Sequence, residues 1–338
     1  MAMKLVNYST TDANLWTGRV DDPDDVDSFR MHQVIRLLNL ADLDLSQVDA
    51  SKLNVCFIGF CCDEGIRRNL GRTGAERGPA YIRKEFANLP VRFGANTAIY
   101  DAGDIRCVDG KLEEAQAELA IAVKIILDSK FFPIVIGGGH ELAFGHYNGI
   151  VGHLERNNNP SLGIINFDAH LDLRPYSNGG SSGTMFSQIA DSCVAHSRKF
   201  SYLCLGVQTY GNTISLFKRA DALGARYILA KDFVESNSER ISNEVQQFID
   251  AHSHIYVTLC SDVFNSAFAP GVSALQPFGM NPEVVLAQIK EILKSKKVIS
   301  LDIAEVSPRF DQDNHTAKLV AVIIYAAINT MSEAGIGV

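Results

Sequence analysis

The chain has 338 residues, of which 46% are hydrophobic and 21% are charged, and its formal net charge is −8. The acidic balance argues against nucleic-acid binding, which usually requires a basic face, and no apolar stretch is long enough to span a membrane. Seven cysteines without the spacing of a disulfide scaffold, and the lack of an apolar leader, predict a reduced, cytoplasmic protein without structural disulfides.

The first 50 residues differ in composition from the rest of the chain. They are polar and acidic, and we expect residues 1–50 to form an extension packed against one domain made by residues 51–338. A cluster of five acidic residues in this segment is typical of a solvated turn region. Its members are Asp21, Asp22, Asp24, Asp25 and Asp27.

From about residue 53 onwards, short apolar runs alternate with amphipathic segments. The apolar runs are rich in β-branched and aromatic residues, and they predict strands over 54–60, 131–138, 162–167, 200–206, 254–260 and 297–303. Apolar residues at three- and four-residue spacing predict helices over 112–129, 142–154, 215–223, 240–251, 282–295 and 317–333. This alternation favours a single three-layer α/β/α domain with a mostly parallel, doubly wound sheet and right-handed crossovers.

Four of the predicted strands lead into side chains that can bind metals or move protons. In open α/β sheets, ligands bind beyond the carboxyl ends of the strands, so these positions are candidates for a site. The four segments that follow the strands are Gly137–Glu141, Asp168–Asp172, Cys260–Asp262 and Asp302–Glu305.

The segment after the third predicted strand indicates a metal site. Asp168, His170 and Asp172 alternate along the chain, so in an extended backbone their side chains point to one side. Carboxylates and imidazoles suit Mn²⁺, with Zn²⁺, Fe²⁺ or Co²⁺ as competitors. Cys260 and Asp262 repeat the two-residue spacing. Three glycines precede His140 and allow a sharp turn that brings its ring close to a ligand.

Some of these residues also allow other interpretations. A lone histidine at a strand end is more often structural, and a run of three glycines can be a phosphate loop, although GGGHE fits neither nucleotide-binding spacing. The histidines predicted to be surface or capping residues are His32, His146, His153, His196, His252, His254 and His315. The cysteines predicted to be small core residues are Cys56, Cys61, Cys62, Cys107, Cys193 and Cys204.

Taken in order, several segments resemble the ureohydrolases, the family of arginase, agmatinase and formimidoylglutamase. The matching segments are GRTGAERGP (71–79) with Ile82 and Arg83, GGGHE (137–141), DAHLD (168–172), APG (269–271) and DIAEVSP (302–308). The resemblance covers residues 54–333. It implies an arginase-like α/β fold and a binuclear Mn²⁺ centre that hydrolyses C–N bonds of guanidino or amidino compounds. It also implies a homo-oligomer, because the family commonly forms trimers or hexamers. The expected binding partner is a small-molecule substrate.

Within the family the chain most resembles the formimidoylglutamase branch, on GGGHE, DLR (172–174), NGGSSGT (178–184) and APGVSA (269–274). This implies hydrolysis of N-formimidoyl-L-glutamate to L-glutamate and formamide in histidine degradation. Arg174 is a candidate clamp for a substrate carboxylate, although a surface salt bridge is the alternative. Ser182, Thr184 and Glu305 complete the expected substrate-binding set, and the lack of a histidine at 182–184 argues against arginase chemistry.

The resemblance also implies roles for individual residues. The metal ligands would be His140, Asp168, His170, Asp172, Cys260 and Asp262, with Asp168 as the bridge between the ions. The catalytic residues would be Asp262 as a proton relay, Glu305 as the amidinium anchor, and His170.

Cys260 departs from the family pattern, which places an aspartate there. A thiolate favours Zn²⁺ or Fe²⁺ over Mn²⁺. Two Mn²⁺ per chain are expected, but the thiol either ligates or leaves one site weak.

Two alternatives to the formimidoylglutamase activity therefore stay open. One is another ureohydrolase, an agmatinase or guanidino-acid hydrolase, and an agmatinase would not need Arg174. The other is a metal-poor, inactive family member.

Overall fold

A mixed β-sheet with helices on both faces forms the body of the protein in the computed structural model, which describes residues 5–46, 48–155 and 160–335. The strands are β1 (Tyr8–Ser9), β2 (Arg36–Leu37), β3 (Leu53–Cys61), β4 (Thr97–Arg106), β5 (Phe132–Ile136), β6 (Leu162–Phe167), β7 (Tyr202–Val207), β8 (Arg226–Leu229), β9 (His254–Cys260) and β10 (Val298–Ala304). The helices are α1 (Met31–Val34), α2 (Glu64–Arg68), α3 (Gly78–Ala87), α4 (Leu112–Asp128), α5 (Leu142–Leu154), α6 (Met185–Ala195), α7 (Ile214–Leu223), α8 (Ser238–Asp250), α9 (Pro282–Lys294) and α10 (His315–Glu333).

The order of strands across the sheet is β1-β4-β3-β5-β10-β9-β6-β7-β8, and β2 also pairs with β4. The β1–β4 pair is antiparallel, and the other pairs within the described ranges are parallel. The predicted mostly parallel α/β sheet is confirmed. Within the described ranges, no helix has the length and apolar content that a membrane crossing needs.

Both faces of the sheet are buried, which explains why its strands are apolar throughout rather than alternating. Val55 and Phe57 of β3 belong to the core that α3, α8, α9 and α10 cover. Cys56 and Ile58, the intervening residues, belong to the core under α4, α5, α6 and α7. The three predicted layers are therefore present.

Most elements that the hydrophobic pattern predicts are found within a few residues of the expected bounds. The six predicted strands correspond to β3, β5, β6, β7, β9 and β10, and the six predicted helices to α4, α5, α7, α8, α9 and α10. The longest strand, β4, was missed because Asp101, Gly103 and Asp104 interrupt its apolar pattern.

Residues 5–46 are joined to the sheet by β1 and β2, which both pair with β4. The Trp16 side chain is buried, and its ring centroid lies 6.2 Å from those of both Phe57 and Phe86. The five clustered aspartates, at positions 21, 22, 24, 25 and 27, are exposed, as predicted for a solvated turn. All seven cysteines are free, and Cys61 and Cys107 are only half-buried.

A buried ion-pair network explains the acidic residues of β4. Arg83 of α3 is 1% exposed and donates to both Asp101 oxygens at 2.8 and 2.9 Å and to Asp104 at 2.6 Å. The Trp16 indole N–H also donates to Asp101, at 2.7 Å. One guanidinium thus pairs with two buried carboxylates and joins α3, β4 and the N-terminal segment.

We expect Arg83→Met to destabilise the protein by about 3–5 kcal/mol, because it leaves buried carboxylates without a cation. Arg92→Met, at an exposed arginine, is the matched control and should change stability by no more than about 0.5 kcal/mol. Urea denaturation followed by circular dichroism measures both. Equal unfolding midpoints for the two variants would contradict this account of the network.

Candidate active site

Four neighbouring strands, in the order β5-β10-β9-β6, bring the predicted site residues to one edge of the sheet. His140 follows β5, Glu305 follows β10, Cys260 ends β9, and the segment Asp168–Asp172 follows β6. The edge opens into a cavity of about 250 Å³, whose lining includes His140, His170, Asp172, Cys260, Asp262 and Glu305. Asp168 lies fully buried. Parallel strands in this order explain why residues far apart in sequence meet here.

The glycines before His140 let the chain turn sharply at the end of β5. Gly137 and Gly138 have φ angles of +82° and +74°, a conformation that side chains with a Cβ rarely adopt. A Cβ at Gly138 would also lie 2.5 Å from the Phe60 carbonyl oxygen. After this turn the His140 backbone N–H donates to Glu305 Oε1 at 3.1 Å, which ties the ends of β5 and β10 together.

The first cluster of donor atoms surrounds His140. Its Nδ1 lies 2.9 Å from Asp168 Oδ2 and 3.1 Å from Asp172 Oδ2. The potential ligand atoms of His140, Asp168 and Cys260 all lie within 4.8 Å of one another. This cluster therefore offers imidazole, carboxylate and thiol donors around one point.

The second cluster surrounds His170. Its Nδ1 lies 3.1 Å from Asp262 Oδ2 and 3.4 Å from Asp168 Oδ1. The potential ligand atoms of Asp168, His170 and Asp262 again lie within 4.8 Å of one another. Asp168 belongs to both clusters, one oxygen facing each histidine. This is the arrangement that a carboxylate bridging two cations would need.

The electrostatics of the site favour bound cations. Burial and the neighbouring charge of Asp168 raise the pKa of Asp172 to about 6, and burial raises the pKa of Asp262 although His170 opposes it. Burial, with the charges of Glu141 and Asp262, raises the pKa of Glu305 well above its usual value.

Two oxygens in the site, Asp262 Oδ1 and Glu305 Oε2, are buried without a hydrogen-bond partner. In the described part of the chain, no lysine or arginine forms an ion pair with Asp168, Asp172, Asp262 or Glu305. Closely spaced carboxylates that have imidazoles but no lysine or arginine as partners in the described residues fit a pair of divalent cations.

The backbone is strained at two of these acids. Asp172 and Glu305 have φ angles of +49° and +67°, in the left-handed region that costs a residue with a Cβ about 1 kcal/mol or more. Such conformations persist only where the surrounding structure enforces them. Here they place both carboxylates on the cavity wall.

The expected substrate-binding residues fall into two groups. Arg174 and Ser182 line the cavity, Arg174 as an exposed side chain. Thr184 does not line it. Its hydroxyl accepts from the Ser181 backbone N–H at 2.8 Å and lies 3.0 Å from Gln188 Oε1, so it is occupied in the turn before α6.

Sequence reasoning missed several residues of the cavity wall, among them Asn69, Arg72 and Ser273. The Arg72 guanidinium donates to the carbonyls of Ser273 at 2.9 Å and Val272 at 2.6 Å, and stacks 4.1 Å from the Phe310 ring centroid. Arg72 lies in the family motif at 71–79 and Ser273 in the motif at 269–274, but neither motif has the spacing of a ligand-binding pattern.

One prediction about the histidines is wrong. His146 is fully buried rather than a surface or capping residue. Its ring nitrogens lie 2.5 Å from Asp302 Oδ2 and 2.5 Å from Ser300 Oγ. Both partners come from β10, and a chain distance of more than 150 residues hid this pairing from pattern analysis.

The chain is a member of the arginase family, whose sequence model matches residues 53–329. Among its relatives, the formimidoylglutamase of Clostridium tetani (strain Massachusetts / E88) is 53% identical over 330 residues, which cover 97% of both proteins.

Solved structures show the same fold. The crystal structure of formimidoylglutamase from Bacillus subtilis subsp. subtilis str. 168 superposes with a TM-score of 0.78 at 19% identity, covering 93% of this chain and 94% of that one. A crystal structure of Trypanosoma cruzi formiminoglutamase with Mn²⁺ gives a TM-score of 0.72 at 24% identity, covering 85% and 96%.

We expect Cys260→Asp to raise the amount of Mn²⁺ that the protein retains after dialysis. Burial and the neighbouring acids raise the pKa of the Cys260 thiol well above its usual value, and a neutral thiol is a poor ligand for a hard cation. Elemental analysis measures the retained metal, and Cys56→Ala, at a buried core cysteine, is the control. Unchanged Mn²⁺ content in Cys260→Asp would show that position 260 does not limit metal binding.

Proposed function

We propose that this protein hydrolyses N-formimidoyl-L-glutamate to L-glutamate and formamide, using two divalent cations, with Mn²⁺ as the first candidate. The observation that carries the proposal is one cavity that combines two donor clusters sharing Asp168 with the Arg174 guanidinium. The identity of 53% to a relative named formimidoylglutamase supports the same activity. We also propose that it acts in histidine degradation, in the cytoplasm, as a homo-oligomer without nucleic-acid or membrane partners.

The donor clusters support a division of the ligands between the two cations. His140, Asp172 and Cys260 would hold one ion, His170 and Asp262 would hold the other, and Asp168 would serve both. When bound, such a pair of ions lowers the pKa of a water molecule and polarises the carbon–nitrogen bond under attack. Cys260 is the weakest donor of the set for Mn²⁺, because sulfur is the softest of these ligand atoms.

Glu305 would hold the amidinium group of the substrate. Its Oε1 is fixed by the His140 backbone N–H, while its Oε2 is buried without a partner. A cationic N–H donor would satisfy that oxygen by a charge-assisted hydrogen bond. The left-handed backbone at Glu305 holds this carboxylate at the cavity wall.

Asp262 is placed to move a proton. Its Oδ1 is buried without a hydrogen-bond partner, while its Oδ2 lies 3.1 Å from His170 Nδ1. His170 therefore orients the carboxyl group, and the unpaired oxygen faces a site where it can take a proton from the attacking water. It can then return the proton to the leaving amine nitrogen, so that L-glutamate leaves with a protonated amino group.

Two arginines of the cavity wall, Arg72 and Arg174, favour a substrate with carboxylates. In the described part of the chain, the Arg174 guanidinium has no hydrogen-bonded or ion-paired side-chain partner. Arg72 is fixed by two carbonyls and an aromatic ring but keeps further N–H donors. N-formimidoyl-L-glutamate has two carboxylates for two such guanidinium groups, whereas agmatine has none.

We expect purified, Mn²⁺-loaded protein to hydrolyse N-formimidoyl-L-glutamate much faster than arginine or agmatine. The reason is that agmatine has no carboxylate to pair with the guanidinium groups of Arg72 and Arg174 at the cavity wall. Formamide release measures hydrolysis of N-formimidoyl-L-glutamate, and urea release, measured in parallel, reports hydrolysis of arginine or agmatine. Turnover of arginine or agmatine alone would favour another ureohydrolase. Full metal loading without hydrolysis of any of the three would favour an inactive family member.

We expect Arg174→Met to raise KM for N-formimidoyl-L-glutamate roughly tenfold or more with a smaller change in kcat, since it removes a charge-assisted contact remote from the reacting carbon. Arg174→Lys should recover part of the loss, because it keeps the charge without the planar fork. Steady-state kinetics measure both, and Arg240→Met on the surface of α8 is the control. An unchanged KM in Arg174→Met would exclude this residue from substrate binding.

A further inference from the structure

A buried polar stripe runs from the middle of the sheet to the candidate metal centre. It is made by alternate residues of β9 and β10, which point to the same face of the sheet. The strands pair in register, and the three opposed pairs are Tyr256–Ser300, Thr258–Asp302 and Cys260–Ala304. His146 of α5 packs over the stripe, its ring centroid 4.6 Å from that of Tyr256.

Asp302 is the centre of this stripe. It is fully buried, and Thr258 donates to its Oδ1 at 2.5 Å. The Tyr256 hydroxyl donates to its Oδ2, and His146 Nδ1 lies 2.5 Å from the same oxygen. In the described residues no lysine or arginine pairs with Asp302, so three neighbouring side chains hold the carboxylate in place.

The direction of the hydrogen bonds places a proton on His140 Nε2. Thr258 has a single hydroxyl proton, which it gives to Asp302, so its oxygen is left to accept from its other neighbour. That neighbour is His140 Nε2, at 2.9 Å. His140 therefore carries a proton on Nε2, which leaves Nδ1, beside Asp168 and Asp172, as the nitrogen that a bound cation would take in the first donor cluster.

We propose that Asp302, held by Tyr256 and His146, positions His140 through Thr258 and thereby sets the affinity of the first cation site. Asp302, Tyr256, His146 and Thr258 do not line the cavity, so these four are positioning residues rather than catalytic ones. The inference rests on the proposed metal centre and is independent of which substrate is cleaved.

The proposal predicts an asymmetry between the two cation sites. Within the described residues, His170, the imidazole of the second cluster, is not held through a hydroxyl by a buried carboxylate, and its Nε2 lies 3.4 Å from Gln276 Nε2. Loss of the Thr258 hydroxyl should therefore weaken the ion beside His140 and spare the ion beside His170. A general loss of folding would weaken both.

The test is titration of the metal-stripped protein with Co²⁺, followed by calorimetry and by the visible absorption of the bound ions. In Thr258→Val we expect one site to lose about 10- to 100-fold in affinity, its absorption band to change, and the second site to stay as in the wild type. Thr258→Ser should restore the first site. Thr330→Val removes a buried hydroxyl that bonds within α10 and is the matched control.

Two-site binding in Thr258→Val equal to the wild type would overturn the proposal. So would an equal loss at both sites, a failure of Thr258→Ser to restore binding, or an absence of Co²⁺ binding by the wild type. The proposed function fails separately. A protein that shows the Thr258-dependent asymmetry but does not cleave N-formimidoyl-L-glutamate would reject the substrate and keep the positioning network.

Discussion

The repulsion among buried carboxylates around Asp168 is the constraint on which the site depends. Asp168, Asp172, Asp262 and Glu305 meet at one end of the sheet, and within the described residues no lysine or arginine forms an ion pair with them. Buried charges of one sign are tolerated only where opposite charge compensates them. The two imidazoles supply part of that compensation, and the remaining imbalance is what makes the cavity a cation site.

Buried acids elsewhere in the sheet have other kinds of partner. Asp101 and Asp104 are also buried acids, but both pair with the always-charged guanidinium of Arg83. Asp302 is stabilised by neutral donors and a histidine. These three groups of buried acids thus have three kinds of partner, and the group with the most closely spaced carboxylates, beside two imidazoles, is the one that opens into a cavity.

The chemistry at the strand ends could be predicted because it depends on local spacing. The alternation of Asp168, His170 and Asp172, and of Cys260 and Asp262, places side chains on one face whatever the rest of the chain does. Polar interactions between distant segments could not be predicted this way. β4 was missed because its acids are paired with Arg83 of α3, and His146 was misassigned because its partner Asp302 lies 156 residues away.

The position of β10 has a consequence for how the chain folds. It lies between β5 and β9 in the middle of the sheet, yet it is the last strand along the described chain. Until about 300 residues have been synthesised, β10 is absent, and β5 and β9 each have an unpaired edge in the middle of the sheet. Such long-range parallel pairing is slow and leaves strand edges open to aggregation. The cation site, which needs strands from both halves, is therefore assembled only after translation has passed β10.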